Sequence, residues 1–424
     1  SSAASDVYKR QGVESVIKEV SKEFKKKGWQ VWVICSNEGK KLKEKETVNG
    51  IKIIRYDMPK VKKRGEWPKK HEEVIEKKLK QLKESFDLVI VEQPIFLRPF
   101  KKRYGKEKVI YHANSCFSEY YQLLKKLGVE VEKEKERYFM EVEKNELKDI
   151  KVVVFSKTLK KQLEKYADVK AEVVLPGVDL KRFKPDKNKE KRVVFVGRNS
   201  IEKNIQAIIR IAEKIKGEVM IVGSKVENEK VMSFAETDKP EKYIRKAKVF
   251  VLPSVYESFG LVLLEALASG VPCVAFKPDG KNIITASDEI IKQGKTGFLV
   301  KDEEEMAEKI NLLLADDKLW KKMSLEARKE AEKYSWENYV EKILELKPPK
   351  VSVVISVYNA EKHIEETLKS ILNQSFRDIE VVIINDGSTD KTADKIISMM
   401  KKDKRIRLIN LEKNCGKSYA LNKN

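Results

Sequence analysis

Two carboxylates, Glu257 and Glu265, stand eight positions apart in the stretch PSVYESFGLVLLEALASGVPCVA (253–275). A Ser-Phe-Gly turn between them opens an apolar helix. Eight residues correspond to just over two helical turns, so we expect both carboxylates to lie along one edge of a single site. Carboxylates accept hydrogen bonds from hydroxyl groups, as a sugar would offer.

The turn between these glutamates also predicts an anion site. Ser258 is a candidate N-cap of the helix, and the main-chain N–H groups of Phe259, Gly260 and Leu261 would then face an anion. Helix-end amides of this kind hold phosphate. The whole stretch therefore predicts a ligand that is part sugar and part pyrophosphate.

The motif Glu257-x7-Glu265, followed by Ala-Ser-Gly-Val-Pro-Cys-Val-Ala, resembles the donor-site signature of retaining family 4 glycosyltransferases. These enzymes have the GT-B fold, in which two Rossmann-like domains face each other. The resemblance implies that Glu257 contacts and orients the donor sugar and that Glu265 contacts the ribose hydroxyls. The alternative is a buried amphipathic helix with two solvated glutamates.

The same resemblance assigns three more residues. In the family, an Arg and a Lys after the first strand of the second domain hold the diphosphate, and Arg198 and Lys203 match them. His112, at the end of the apolar strand VIYHAN, matches a histidine that touches the donor sugar and is assigned to catalysis with Glu257. The alternatives are two surface bases and a structural histidine.

The elements that position these residues are apolar strands alternating with helices, which predicts an α/β fold with parallel, doubly wound sheets. We expect strands at 31–36, 51–56, 87–93, 108–114 and 152–156, and a charged helix near 71–85. A second Rossmann-like half begins at residue 171, with strands at 192–198, 218–224 and 248–254, a helix at 201–215 and helices at 303–345.

The start of the chain departs from the family pattern. Gly12 is the remnant of an acceptor-side loop that usually carries a Gly-Gly pair, and this chain has Gln11-Gly12. No strand precedes the helix that begins there, so we expect the first strand of this half to be missing. Residues 1–11 are interpreted as a non-native leader.

Residues 351–424 resemble the beginning of an inverting family 2 glycosyltransferase with a GT-A fold, on the motifs Val357-Tyr358-Asn359, Gln374-Ser375-Phe376 and NDGSTD (385–390). The resemblance implies that Asp386 contacts the base of a nucleotide-sugar. The Asp-x-Asp metal motif and the catalytic base would lie beyond Asn424, so this segment is expected to be truncated and inactive. The predicted domains are 1–11, 12–170, 171–346, the linker 347–350, and 351–424.

The composition limits the class of protein. A chain of 424 residues with a net charge of +22 holds two or three domains, and most of the positive excess lies within residues 11–170. We find no secretory signal and no apolar run long enough to span a membrane. Four scattered cysteines indicate reduced thiols in the cytosol. The basic face predicts either peripheral contact with an anionic inner membrane surface or an ordinary lysine-rich surface.

These observations predict a glycosyltransferase that moves a sugar from a nucleotide-diphosphate sugar to a glycan or lipid-linked acceptor with retention of configuration. No cofactor and no metal are expected for the GT-B unit, because Arg198 and Lys203 would stabilise the leaving diphosphate. One alternative is a nucleotide-sugar-binding scaffold without turnover. Another is a basic nucleic-acid-binding protein, which the near absence of aromatic residues among the basic clusters disfavours.

Overall fold

Parallel strands and the helices that connect them make up both units of the chain. The computed structural model describes residues 13–37, 42–61, 64–349 and 351–416. The first unit ends at Leu346 and the second begins at Lys347. Gly12, residues 1–11 and the last linker residue, Lys350, lie outside the described residues.

The strands described in the amino-terminal half of unit 1 form two sheets. The first has the order β1-β3-β2, in which β2 is antiparallel, and the second has the parallel order β4-β5-β6-β7. The strands of this half are β1 (Trp32–Ser36), β2 (Lys45–Val48), β3 (Ile51–Tyr56), β4 (Val89–Val91), β5 (Val109–His112), β6 (Lys151–Val154) and β7 (Ala171–Val173). Its α-helices are α1 (Val13–Lys26), α2 (Trp67–Lys80), α3 (Leu97–Tyr104), α4 (Phe117–Lys126), α5 (Lys133–Glu146) and α6 (Lys157–Ala167).

The strand expected at residue 171 and the helix expected near 71–85 lie elsewhere than the sequence predicted. The strand at residue 171 pairs with β6, so it extends the amino-terminal sheet instead of opening the next half, and the boundary expected at residue 171 falls after β7. The helix expected near 71–85 runs from Trp67 to Lys80. It starts early because Pro68, whose ring fixes a helical φ, occupies its first turn.

The carboxyl-terminal half of unit 1 is built on a six-stranded parallel sheet in the order β10-β9-β8-β11-β13-β15, and β12 and β14 form a separate parallel pair. The strands of this half are β8 (Glu190–Val196), β9 (Glu218–Val222), β10 (Val231–Phe234), β11 (Ala247–Leu252), β12 (Tyr256–Glu257), β13 (Cys273–Phe276), β14 (Ile284–Thr285) and β15 (Gly297–Val300). Its α-helices are α7 (Ile205–Ile211), α8 (Glu241–Ile244), α9 (Leu261–Ala268), α10 (Ser287–Ile290), α11 (Glu303–Ala315), α12 (Asp317–Ala331) and α13 (Trp336–Leu346).

The core of this half follows from its sequence. Every residue of β11 and β13 is buried, as expected for parallel strands covered by helices on both faces. The helix expected at 201–215 is interrupted: a 3-10 turn at Ile201–Lys203 precedes α7, because Asn204 adopts a left-handed conformation with φ of 49°.

Helix α13 returns to the amino-terminal half. Lys27, after α1, donates to Glu341 on α13 over 2.8 Å, and Tyr339 of α13 packs its ring against Phe155, 5.7 Å between centroids. Gly177 fits beneath the start of α13, where a Cβ atom would lie 2.1 Å from the main-chain nitrogen of Trp336.

As far as residue 416, the structure of unit 2 shows three parallel strands in the order β16-β17-β18 and two helices. They are β16 (Val351–Val357), α14 (Ile364–Leu372), β17 (Ile379–Asp386), α15 (Thr392–Met400) and β18 (Ile406–Leu411). Leu368, Ile383 and Ile396 are fully buried between sheet and helices. The strand–helix–strand order expected for this segment is confirmed.

Candidate functional site

Glu257, the predicted sugar contact, and Lys203, a predicted phosphate contact, form an ion pair. Lys203 donates its Nζ hydrogen to the carboxylate of Glu257, and both side chains are largely shielded from solvent, with exposures of 20% and 12%. Ser254 Oγ donates to the same carboxylate oxygen over 3.0 Å. These contacts hold Glu257 in one orientation beside a cation.

The sheet explains why these residues meet. Strands β8 and β11 are neighbours, so the loops after their carboxyl ends lie together, which is where α/β sheets bind ligands. Val255 N donates to Glu202 O over 2.8 Å, which ties the two loops directly. Gly223, at the end of β9, has a φ of +99°, and a Cβ there would lie 2.7 Å from Gly197 O, so only glycine fits this approach.

Arg198 lies in the same loop and is exposed. Its guanidinium makes no hydrogen bond or ion pair with any residue that the structure describes. Burial raises the pKa of Tyr120 on α4, and the positive charge of Arg198 opposes that rise. Arg198 therefore lies near α4 of the other half. Arg198 is therefore a cation available to an anion at this edge.

The start of helix α9 differs from the prediction. Gly260, with a φ of +94°, is the N-cap residue, so the prediction that Ser258 caps the helix was wrong. Glycine takes this position because a side chain at positive φ would be strained. The Ser258 carbonyl instead accepts a hydrogen bond from Ser156 Oγ. No hydrogen bond within the described residues uses the N–H groups of Phe259, Gly260 and Leu261.

Glu257 and Glu265 have different surroundings. Glu257 belongs to β12 and precedes the helix, so the two glutamates are not related by helical spacing as expected. Burial raises the pKa of Glu265 to about 7, while the charge of Arg182 opposes that rise and the charge of Glu241 adds to it. The Glu265 carboxyl accepts no hydrogen bond from the described residues, which leaves its oxygens available to hydroxyl donors.

His112 closes strand β5 and has no exposed surface. Its Nδ1 lies 2.8 Å from a carboxylate oxygen of Glu92, which orients the ring, and its buried Nε2 has no partner among the described residues. The rings of Phe155 and Tyr339 pack against it, with centroids 4.1 and 6.0 Å away. In this conformation the predicted catalytic histidine is covered.

The two halves of unit 1 meet through polar contacts beside this site. Tyr256 Oη lies 2.9 Å from Ser115 Oγ and accepts from Cys116 N over 3.2 Å. The Glu289 carboxylate accepts from the N–H groups of Lys157 and Thr158, each over 2.8 Å, at the amino terminus of α6. A carboxylate of one half thus occupies a helix-end anion site of the other.

Sequence reasoning missed three residues that orient this region. Glu92 directly follows β4 and Ser254 stands two residues after β11, and this position at the carboxyl end of an apolar strand was a signal that could have identified both. Glu289 gave no such signal, because its partners on α6 are distant in the sequence.

In unit 2, Asp386 is buried at the end of β17, and its carboxylate accepts from Cys415 N over 2.8 Å and Gly416 N over 2.9 Å. The predicted nucleotide contact is therefore held by the main chain. Within the described residues of the whole chain, no group of three or more histidine, cysteine, aspartate or glutamate side chains could hold a metal ion. No helix in the described ranges is long and apolar enough to cross a membrane.

Comparison with protein families gives three matches along the chain. Residues 10–182 match the model "Glycosyltransferase Family 4", residues 178–330 match "Glycosyl transferases group 1", and residues 352–423 match "Glycosyl transferase family 2". The border between the first two matches agrees with the pairing of β7 in the amino-terminal sheet.

Solved structures match most of this chain. Sucrose-phosphate synthase from Thermosynechococcus elongatus superposes with a TM-score of 0.68 at 19% identity, covering 79% of this chain and 92% of that one. The chain has the GT-B fold. WaaG, a glycosyltransferase involved in lipopolysaccharide biosynthesis, matches with a TM-score of 0.61 at 14% identity, covering 79% and 96%. Anabaena HepE in complex with UDP and glucose matches with a TM-score of 0.55 at 16% identity, covering 70% and 86%.

Curated relatives match over shorter stretches. An uncharacterized glycosyltransferase of Haemophilus influenzae is 45% identical over 74 residues, which is 18% of this chain and 23% of that protein. The sulfoquinovosyl transferase SQD2 of Arabidopsis thaliana is 33% identical over 165 residues, 36% of this chain and 32% of that protein. The chain thus spans less than a third of either relative.

Proposed function

We propose that unit 1 is a glycosyltransferase that moves a sugar from a nucleotide-diphosphate sugar to a glycan or lipid-linked acceptor with retention of configuration. The contact between Lys203 and Glu257 carries the proposal, because it joins a phosphate-type cation to a hydroxyl-accepting carboxylate at the ligand-binding edge of the sheet. The three glycosyltransferase family matches support it.

The proposed roles follow from the surroundings of each residue. Arg198 and Lys203 bind the diphosphate and stabilise its charge as the bond from the sugar C1 to the phosphate oxygen breaks. A new C1–O bond forms to the acceptor hydroxyl, whose proton passes to the departing diphosphate or to solvent. We assign no metal to this step; activity that persists in excess EDTA supports that assignment, and activity restored by Mg²⁺ contradicts it.

Glu265 and Glu257 divide the recognition of the donor. Glu265, whose oxygens accept no hydrogen bond from the described residues, accepts hydrogen bonds from the ribose hydroxyls. Glu257, fixed by Ser254 and Lys203, orients the sugar. The N–H groups of Phe259–Leu261 donate hydrogen bonds to sugar or phosphate oxygens.

The direct test is calorimetry with nucleotide-sugars, followed by a turnover assay. UDP-glucose is the first donor to use, because Anabaena HepE was solved with UDP and glucose. We expect Glu265→Gln to weaken UDP binding, and Glu257→Gln to lower turnover more than UDP affinity. NMR of the product reports the configuration at C1, and inversion would rule out the retaining assignment. Equal losses of UDP affinity in both variants would contradict the division of roles.

One observation favours binding without turnover as a second candidate. His112 is covered by Phe155 and Tyr339, so a donor sugar reaches its Nε2, which has no partner in the described ranges, only when these ring contacts separate. Nucleotide-sugar binding with no transfer or hydrolysis would support this scaffold role. Failure to bind any nucleotide-sugar would exclude both candidates.

Membrane contact through the basic amino-terminal half is part of the proposal for a lipid-linked acceptor. Its support is the net charge of +22. However, Lys101, Lys102 and Lys106 of one basic cluster are already paired with acidic side chains, which reduces the charge left for lipid. Sedimentation with vesicles of phosphatidylglycerol, compared with phosphatidylcholine at several salt concentrations, tests the contact.

For unit 2, the family 2 match supports the proposal that Asp386 contacts a nucleotide base in a GT-A-like site. The N–H groups of Cys415 and Gly416 fix its carboxylate. Asp386→Asn should weaken nucleotide binding to this unit, whereas the control Asp403→Asn, on the turn before β18, should not.

A further inference from the structure

Tyr256 immediately precedes Glu257 in β12, but its hydroxyl is held by the amino-terminal half. The hydroxyl oxygen accepts from Cys116 N over 3.2 Å and lies 2.9 Å from Ser115 Oγ and 3.4 Å from the Cys116 carbonyl oxygen. Only 6% of the tyrosine is exposed, and Cys116 has no exposed surface. We call this set of hydrogen bonds the Tyr256 contact. A buried polar hydrogen with no partner is costly, so both halves are constrained to keep the contact.

The strand that carries Tyr256 and Glu257 belongs to a small sheet. β12 pairs with β14 in a two-stranded sheet outside the six-stranded one. Ile284 N donates to Val255 O over 2.8 Å, and Ala286 N donates to Glu257 O over 3.2 Å. Two paired strands are marginally stable by themselves. The position of the Glu257 main chain therefore depends on what packs against this pair.

Helix α4 of the amino-terminal half packs against the pair. Leu123 of α4 forms a buried apolar cluster with Tyr256 and Ile284. In the last turn of the helix, Lys126 donates to Asn282 Oδ1, before β14, over 2.6 Å. The Tyr256 contact lies at the opposite end of α4, at its amino terminus. The helix thus holds β12 and β14 along its whole length.

The Tyr256 contact also reaches the loop that carries His112. This loop joins β5 to α4, and Glu92 fixes its beginning. The Glu92 carboxylate lies 2.8 Å from His112 Nδ1 and accepts from Asn114 Nδ2 over 3.2 Å. The two residues assigned to catalysis, Glu257 and His112, therefore stand one and three residues along the chain from the two ends of one hydrogen bond.

We propose that Tyr256 is a positioning residue that sets the distance between Glu257 and His112 across the two halves. This inference rests on the proposed function, in which both residues act on the donor sugar. Groups that act together on a substrate must be held within about 0.5 Å of their productive geometry. Burial raises the pKa of Tyr256 well above its ordinary value, so its hydroxyl keeps its proton and acts by holding position.

The first test is Tyr256→Phe in the full chain, which removes the hydroxyl and keeps the ring against Leu123. Release of UDP from UDP-glucose should show kcat lowered by about 10- to 100-fold, because small displacements of reacting groups have effects of this size. UDP affinity should stay within about two-fold, because donor binding belongs to the carboxyl-terminal half. Tyr121→Phe is the control, since it removes a hydroxyl from α4 on the side packed in the amino-terminal core. An unchanged kcat in Tyr256→Phe, or an equal loss of UDP affinity, would overturn the proposal.

Ser115→Ala removes a partner of the same hydroxyl. It should lower kcat in the same direction, and the double variant with Tyr256→Phe should lose no more than Tyr256→Phe alone, because both changes break one contact. Losses of kcat that multiply in the double variant would show that the two residues act separately, which would overturn the shared contact.

Amide hydrogen exchange tests the same proposal without turnover. In Tyr256→Phe, the N–H groups of Ile284 and Ala286, which pair with the β12 segment, should exchange faster, while those of β11 and β13 should not change. Unchanged exchange in β14 would overturn the proposal even if kcat falls. If the wild type releases no UDP from any nucleotide-sugar, the proposed function fails, and the exchange result by itself decides whether Tyr256 fixes the strand of Glu257.

Discussion

The two halves of unit 1 are built from the same strand–helix repeat, but their described strands are divided differently among sheets. In the carboxyl-terminal half, one continuous sheet has β11 and β13 buried throughout. In the amino-terminal half, the described strands form two smaller sheets, and β1 is mostly half-buried.

This difference indicates where the proposed chemistry resides. The groups assigned to the donor nucleotide all extend from the continuous sheet or from α9, which packs on it. The amino-terminal half supplies the covered His112 and a set of polar contacts across the interface. Donor binding should therefore depend on the carboxyl-terminal half alone, and turnover on both.

The largest expected effect is on diphosphate binding. Replacing Arg198 and Lys203 together by alanine should weaken UDP binding by about 3–6 kcal/mol, because each charged hydrogen bond contributes about 1.5–3 kcal/mol. The loss should fall toward the lower value, since Lys203 must leave Glu257 to bind a ligand. Calorimetry measures it, with exposed Lys216→Ala as the control. His112→Gln should leave UDP affinity unchanged; a comparable loss there would break the proposed division between the halves.

The next largest effect is a pH dependence of the free energy of unfolding, caused by Glu265 in the carboxyl-terminal half. The pKa of Glu265 is raised from 4.5 to about 7, so the folded chain holds a proton that the unfolded chain has released. Stability of the wild type should therefore fall as pH rises through this window. Glu265→Gln should match the wild type near pH 4 and exceed it above pH 7 by at most about 3 kcal/mol. Urea unfolding measures the difference; a gain independent of pH would contradict this cause. Glu172→Gln, at an exposed position, is the control.

A third prediction concerns the contact that holds α13 over the amino-terminal half. Gly177→Ala places a methyl group against the main chain of Trp336 and should cost about 1–3 kcal/mol of stability while shifting tryptophan fluorescence. Gly128→Ala is the control, because its methyl group meets open space; its positive φ strains the side chain, so it should lose some stability without a shift of tryptophan fluorescence. Equal losses of stability in Gly177→Ala and Gly128→Ala, with tryptophan fluorescence unchanged in both, would show that the contact between Gly177 and Trp336 does not fix the position of α13.

The smallest effect should come from the interface itself. Glu289→Gln removes the charge that faces the amino terminus of α6, which should lower stability by about 0.5–2 kcal/mol. Asp302→Asn changes an equivalent cap on α11 within a single half. Only Glu289→Gln should increase proteolysis at the interface. Identical digestion patterns in the two variants would show that this contact does not join the halves.

Much of the fold could be predicted from local sequence. The apolar strands and the alternation with helices identified the α/β class, because hydrophobic periodicity is a local property. The strand at 171 was assigned to the wrong half, since the identity of its partner β6 depends on contacts that no local pattern encodes. Likewise, Ser258 has the chemistry of an N-cap, but the chain places Gly260 there because of its backbone conformation.

The candidate site was predicted in part. Lys203 and Glu257 do lie together, because both follow the carboxyl ends of neighbouring strands. The roles assigned to the individual site residues stay predictions. The complete burial of His112 could not be foreseen, because Tyr339, which covers it, comes from α13, far along the chain. Gly12 and residues 1–11 lie outside the described residues, so the acceptor-loop and leader interpretations stay predictions.

The packing of α13 against the amino-terminal half also affects how this half folds during synthesis on the ribosome. The amino-terminal half is synthesised first, but the helix that covers His112 is encoded at Trp336–Leu346. At about 5–20 residues per second, the nascent chain waits roughly 10–30 s for it. During that interval the apolar surface around Phe155 and His112, which α13 later covers, is exposed. Chaperones bind exposed apolar surface of this kind in nascent chains, and α13 removes it from solvent once it emerges.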